Sequence, residues 1–157
     1  MTEKFLPGVL LSPSINAVNL IKEFESCRLV GYLPTKDDVP TIGWGATGRG
    51  IHVGDRWTQM MADARLVSDV HAFAAAVRRL LGTALTTQSQ FDALVSFAYN
   101  VGIAALAGST LLRKHKAGDY AGAAAEFPKW DHQNHKEIPG LLRRREAEAA
   151  LYKRSLA

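Results

Sequence analysis

Between Arg28 and Asp55 the chain carries strand and turn chemistry, and a long helix and then further helices follow. Arg28-Leu29-Val30-Gly31-Tyr32 reads as an extended run, Pro34-Thr35-Lys36-Asp37-Asp38 as a turn, and Val39 to Trp44 as the returning strand. Gly48, Gly50 and Gly54 predict a further turn with a short third strand near Ile51–Val53. A small antiparallel sheet followed by a run of helices argues an α+β fold and argues against a parallel α/β sheet.

The helices are read from their stripes and punctuation. Ser12-Pro13-Ser14 opens an amphipathic helix over Ile15–Ser26, with Ala17, Val18, Leu20, Ile21 and Phe24 on one face. A long helix runs from Thr58 to Leu81 on a stripe of Leu66, Val70, Phe73, Val77 and Leu80, and Gly82 stops it. Thr87-Gln88-Ser89-Gln90 fits a capping box for the next helix, with Phe91, Leu94, Val95 and Ala98 inward and Gly102 as its end. Ser109 or Thr110 opens another, Asp119 caps a short alanine-rich one, and a last helix covers Pro139–Ser155. Residues 1–13 read as an arm with little pattern, and 128–138 as a polar loop around Trp130. At 157 residues the chain reads as a single domain.

Glu25 falls on the flank of the first apolar stripe, whereas Glu23 falls beside Asn16 and Asn19 on the polar face. Half-burial and the negative end of a helix dipole both favour a protonated carboxyl, the form a general acid needs. The helix alone favours the plainer reading, a flank glutamate paired with Arg28 or Lys22. In Thr41-Ile42-Gly43-Trp44-Gly45 the alternation places Ile42 and Trp44 on one face and two glycines with Thr41 on the other. Such a face packs poorly but lets a ligand approach the backbone.

The ordered set of motifs is more specific than any one of them. FES with Glu25, then RLVGY, then TIGWG, resembles the N-terminal signature of phage-type lysozymes, glycoside hydrolase family 24. LTTQSQFDALVSFAYNVG, AGSTLLRKHKAGDYAGAAAEFPKW and PGLLRRREAEAALY are similar to that family's C-terminal lobe. The resemblance covers roughly residues 14–153. It implies a two-lobed lysozyme-like fold: a helix plus β lobe over 14–57, a connecting helix over 58–81, and a mainly helical lobe over 82–157. It implies hydrolysis of the β-1,4 bond between N-acetylmuramic acid and N-acetylglucosamine in peptidoglycan glycan strands. The family's catalytic glutamate maps onto Glu25 and its catalytic threonine onto Thr41.

Two departures accompany the match. The family's aspartate position, two residues after the tyrosine, is Pro34 here, and Asp37 and Asp38 follow a few residues later. Asp38 is taken as the second carboxylate. Gly45-Ala46-Thr47 stands where the family commonly has a histidine after the second glycine. Tyr99, Asn100 and Trp130 are candidates for the helical wall of a cleft, since aromatic faces suit sugar rings and amides suit acetamido groups. Each reads equally as a core or helix-end residue. Asp131, His132 and His135 lack the further ligands a metal would need, Cys27 reads as an inert thiol, and Arg143, Arg144 and Arg145 as a solvated helix face. No cofactor is implied.

The formal charge of +4 and pI near 9.4 would concentrate the protein on an anionic polymer such as cell wall. No nucleic-acid-binding motif accompanies the charge, which argues against DNA as the partner. With no signal-peptide pattern visible, the expected location is the host bacterial cytoplasm until lysis, with a holin as the route to the wall and a monomer as the working state. The displaced aspartate leaves a second reading open, an inactive wall-binding protein on the same fold.

Overall fold

A computed structural model describes residues 2–133 and 135–154. Its centre is a helix, α3 (Gln88–Val101), whose residues from Ser89 to Ala98 are all buried. Phe91, Leu94, Val95 and Ala98 face the core as the periodicity requires, and Thr87 and Gln90 form the reciprocal capping box. Against α3 pack α1 (Ile15–Phe24), α2 (Gln59–Leu81) and α7 (Pro139–Lys153). Three shorter helices, α4 (Ile103–Ala107), α5 (Thr110–Lys116) and α6 (Tyr120–Glu126), complete the helical lobe. Ser109 and Asp119 cap α5 and α6 as their side chains suggest, and Gly82 and Gly102 end α2 and α3 at positive φ.

The β region has its own small core of Ile42, Ala46 and Ile51 under Trp57. Here β2 (Arg28–Tyr32) pairs antiparallel with β3 (Thr41–Gly43). The register runs Arg28 to Gly43 and Tyr32 to Thr41, so four steps on one strand face two on the other. Strand alternation is therefore lost. Gly43 turns left-handed at φ 64, and Ile42 and Trp44 part company: Ile42 enters the β core while Trp44 packs on the helical core. The expected third strand at 51–53 lies further along. Residues 54–57 supply that edge, through Gly31 N–H to Asp55 O (2.8 Å), Gly54 N–H to Gly31 O (2.9 Å) and Trp57 N–H to Leu29 O (2.9 Å). Gly31 must be glycine, because a Cβ there would stand 2.2 Å from His52 O.

The N-terminal arm has more structure than its composition suggests. Its strand β1 (Leu6–Pro7) pairs with β4 (Leu85–Thr86), and Glu3 Oε1 accepts from Ser89 N–H (2.9 Å) at the start of α3. The polar loop around Trp130 likewise holds a small hairpin, β5 (His132–Gln133) with β6 (Lys136–Glu137). The last helix reaches Lys153; Ser155, expected in it, lies outside the described residues. Among the described residues no helix is long and apolar enough to cross a membrane.

Candidate active site

The helix α1 is fixed at both ends. At its start Ser14 is tied to Asp92 of α3 twice, backbone N–H to Oδ1 (2.9 Å) and hydroxyl to Oδ2. Burial pushes the Asp92 carboxyl up, against the pull of the Ser14 hydrogen bonds. The helix closes at Phe24, two residues short of the expected Ser26. Glu25 is its C-cap, its N–H still bonded to Ile21 O (2.8 Å) but its own backbone extended (φ −93, ψ 137). The change to extended backbone swings the Glu25 side chain off the helix and into a cleft.

That cleft has a volume of about 710 Å³. Phe24, Glu25 and Glu23 form one wall, Asn100 stands at the end of α3, and Gln133, Leu141, Arg143 and Arg144 come from the hairpin and α7. Glu25 keeps 24% of its side chain exposed, and Glu23 is on the solvent side, as the helical wheel requires. The partner of Glu25 is neither Lys22 nor Arg28. Arg144 Nη1 donates to Glu25 Oε1 at 2.8 Å. Lys22 instead meets Asp63 (3.5 Å), and Arg28 lies over the Tyr32 ring.

The arginine run is thus not a solvated face. Arg143 is exposed, but Arg144 and Arg145 are 3% and 0% exposed. Both grip Glu148, itself fully buried: Arg144 Nε reaches Oε2 (3.3 Å), Arg145 Nε approaches Oε1 (2.7 Å), and Ser96 donates its hydroxyl to Oε2 (2.6 Å). Burial pushes the Glu148 carboxyl up, and the charges of Arg145 and Arg144 oppose that push. Arg144 Nη2 also donates to Ser96 O (3.2 Å). A buried charge must be paired and hydrogen-bonded. This cluster meets the requirement in part, by joining α7, α3 and Glu25 in one network; Arg145 Nε and Nη1 and Glu148 Oε1 make no hydrogen bond among the described residues, so the contact between Nε and Oε1 is one of charge. The spacing of Arg144 and Arg145 from Glu148, four and three residues, was the signal available in the sequence.

On the other side of Glu25 stands Gly45. A Cβ there would lie 3.3 Å from Glu25 Oε2, and the residue sits at φ 92. The glycine-rich face expected to admit a ligand therefore admits the glutamate itself, and Gly43 likewise abuts the Trp57 ring, 3.1 Å from where its Cβ would be. Trp44 between them donates from Nε1 to Asp63 Oδ1 (2.8 Å) under the Lys22 ammonium. That bond, then the one from Gln59, holds the Asp63 carboxyl below its usual range.

The remaining candidates are spread unevenly. Asn100 lines the cleft, and Trp130 lines an adjoining pocket of about 360 Å³ that shares Asn100, Gln133 and Leu141 with it. The Trp130 ring meets Phe97 edge-on at 5.3 Å. Tyr99 lines neither space; its hydroxyl donates to Trp44 O at 2.7 Å. Thr41 and Asp38 lie in the β region and do not line the cleft. Thr41 is buried at 7% exposure with its hydroxyl donating to Val39 O (3.0 Å). Asp38 is exposed in the turn, where Oδ2 accepts from the Thr35 hydroxyl (2.9 Å).

Comparison with known proteins agrees with this architecture. The family model described as phage lysozyme matches residues 22–148. The endolysin of Bacillus phage B103 is 45% identical over 86% of this chain, which spans only 51% of that relative's length. The endolysin of Acyrthosiphon pisum secondary endosymbiont phage 1 is 41% identical over 85% of this chain and 92% of its own length. Among solved structures, the muramidase domain of SpmX from Asticaccaulis excentricus superposes with a TM-score of 0.82 at 36% identity, covering 90% of this chain and 97% of that one. With the match covering both Glu25 and the buried Arg144–Glu148 cluster, the chain belongs to the phage lysozyme family.

Proposed function

We propose that the protein is a muramidase endolysin, hydrolysing the β-1,4 bond between N-acetylmuramic acid and N-acetylglucosamine in peptidoglycan. One observation carries the assignment of the acid: Arg144 occupies Glu25 Oε1, and Oε2 is the oxygen left over, on the side facing Gly45. A proton on Oε2 is the one available to the leaving glycosidic oxygen, which is the first requirement of acid-catalysed glycoside cleavage. Glu25 is the general acid in this reading. Asp38, exposed in its turn, is the second carboxylate, and Thr41 orients the attacking water with the lone pairs its bond to Val39 leaves free. Asn100 and Trp130 contact the sugars, Asn100 through its amide and Trp130 through its ring face.

The proposal extends to the biological setting. The endolysin acts on the wall of its bacterial host as a monomer, waits in the host cytoplasm until lysis, and reaches the wall through a holin. No organic cofactor or metal takes part in this mechanism.

The test is the digestion of purified peptidoglycan with identification of the new reducing ends. Reducing-end N-acetylmuramic acid is the expected product. Glu25→Gln should abolish its release with the fold intact, and Glu23→Gln should leave it near the wild-type rate. Release of reducing-end N-acetylglucosamine, or equal behaviour of the two variants, overturns the assignment.

A further inference from the structure

We propose that Tyr99 is a positioning residue for the acid: its hydroxyl holds the Trp44–Gly45 backbone at the separation that keeps Glu25 Oε2 open. The proposal rests on Glu25 being the general acid.

The turn from Gly43 to Ala46 is a closed unit. Ile42 N–H donates to Ala46 O (3.0 Å) and Ala46 N–H to Ile42 O (2.8 Å). Gly43 and Gly45 both take positive φ inside it, so the turn has one shape. Its separation from Glu25 is set by the groups that hold the unit in place.

Three groups tie it down. Two act on the Trp44 side chain: Asp63 accepts its indole N–H, and Lys22 lies 5.4 Å above its ring. Both belong to a partly exposed network where water and salt compete. The third is the Tyr99 hydroxyl on the Trp44 carbonyl, and it is the one that acts on the backbone next to Gly45.

The geometry makes that third tie the decisive one. A Cβ on Gly45 would stand 3.3 Å from Glu25 Oε2 and 4.0 Å from the Tyr99 hydroxyl, so all three groups border one small space. Tyr99 comes from α3, the most deeply buried helix, and its ring is braced by Phe73 of α2 at 5.3 Å. It is a fixed reference point in the helical lobe reaching across to the β region. Burial, then the Glu25 charge, holds its phenol well above the ordinary value, so it remains a donor across the working pH range. Because that hydroxyl is already bonded to protein, Tyr99 acts on the sugar only through Glu25.

Tyr99→Phe tests this, since it keeps the ring on Phe73 and removes only the donor. On a soluble glycan substrate kcat should fall about tenfold or more with KM unchanged, as expected when a reacting group is misplaced by a fraction of an ångström. The pH–rate profile of Tyr99→Phe should be shifted from that of the wild type. Thermal melting is the control for folded protein. Gly45→Ala, which crowds the same space, should give the same kcat-only signature, and the two changes together should cost less than the product of their separate effects. Wild-type kcat and pH profile in Tyr99→Phe would overturn the proposal. So would a raised KM with kcat retained, which would make Tyr99 a sugar contact. Glu25→Gln run alongside separates the two levels of the argument. If it stays active, the acid assignment and the positioning role both fall; if it is inactive and Tyr99→Phe is not impaired, only the positioning role does.

Discussion

Arg144 donates from Nη1 to Oε1 of Glu25 at 2.8 Å, across 119 positions of sequence. The same guanidinium donates from Nη2 to the backbone of Ser96 and from Nε to Glu148, so a single planar group sets the angle between α1, α3 and α7 at the cleft. A lysine is a point charge on a flexible stem and cannot reach three partners in different directions.

Arg144→Lys should therefore lower both stability and turnover. Breaking up a buried ion network typically costs about 3–5 kcal/mol, and retention of the positive charge should place this variant near the lower end. Urea denaturation checks the stability loss. Activity corrected for folded fraction should fall at least about tenfold, from loss of Glu25 orientation alone. Unchanged turnover per folded molecule would separate the ion network from catalysis.

The two turn carboxylates give a sharper comparison. Asp38 is held by Thr35 twice, through its N–H to Thr35 O (3.1 Å) and through Oδ2. An oriented carboxylate is the better partner for a protonated acid, so Asp38→Asn should lose most lytic activity and Asp37→Asn little. Neither should change stability by more than about 0.5 kcal/mol, because both are exposed. Lysis assays beside thermal melts read both quantities. Loss confined to Asp37→Asn reassigns the second carboxylate.

His115 should make the fold acid-sensitive. Its Nε2 stands 2.9 Å from the Thr86 hydroxyl, which itself donates to Ala84 O, and its Nδ1 stands 2.6 Å from the Tyr152 hydroxyl. The neutral ring with its proton on Nε2 satisfies both contacts, and a second proton would face the Tyr152 O–H. Burial lowers the His115 pKa to about 4. Between roughly pH 6.5 and 4 the unfolded chain binds a proton that the folded one does not, so stability falls as pH drops through that window. The loss from this group approaches about 3 kcal/mol by pH 4. Denaturation curves of wild type and His115→Gln across that range should converge at low pH, the variant being the flatter of the two. Parallel curves would remove His115 from the account.

Salt should weaken lysis of whole wall. A net charge of +4 draws the protein to an anionic surface over a screening distance of about 8 Å at physiological ionic strength. Activity on intact walls should therefore fall between low and high salt, while turnover of a short neutral glycan fragment stays flat. Turbidity and reducing-end assays run across one salt series compare them directly.

Local rules made much of the fold legible. The capping box at Thr87 and Gln90, the caps at Ser14, Ser109 and Asp119, and the stops at Gly82 and Gly102 depend on neighbours within four residues. For the same reason the helical wheel separated Glu25 from Glu23. The β region was readable only as chemistry. Its register is set by an irregular pairing and a left-handed Gly43, which sent Ile42 and Trp44 to different cores and moved the third edge to 54–57. The arm's pairing with Leu85–Thr86 was out of reach for the same reason, since a two-residue strand leaves no period to detect.

The site divides along the same line. The helical wheel set Glu25 apart from Glu23, and the family pattern pointed to Glu25 and Thr41; both could be found from the sequence. That Arg144 and Arg145 are buried could not, because periodicity registers apolar faces and these are charges. Their burial is stable only when Glu148, Ser96 and Glu25 arrive together from three helices, two of them remote in sequence. The sequence and its family pattern singled out Glu25 as the candidate acid. Tertiary structure decided which of its oxygens is free, because desolvated charges take whatever partners long-range packing brings within hydrogen-bonding distance.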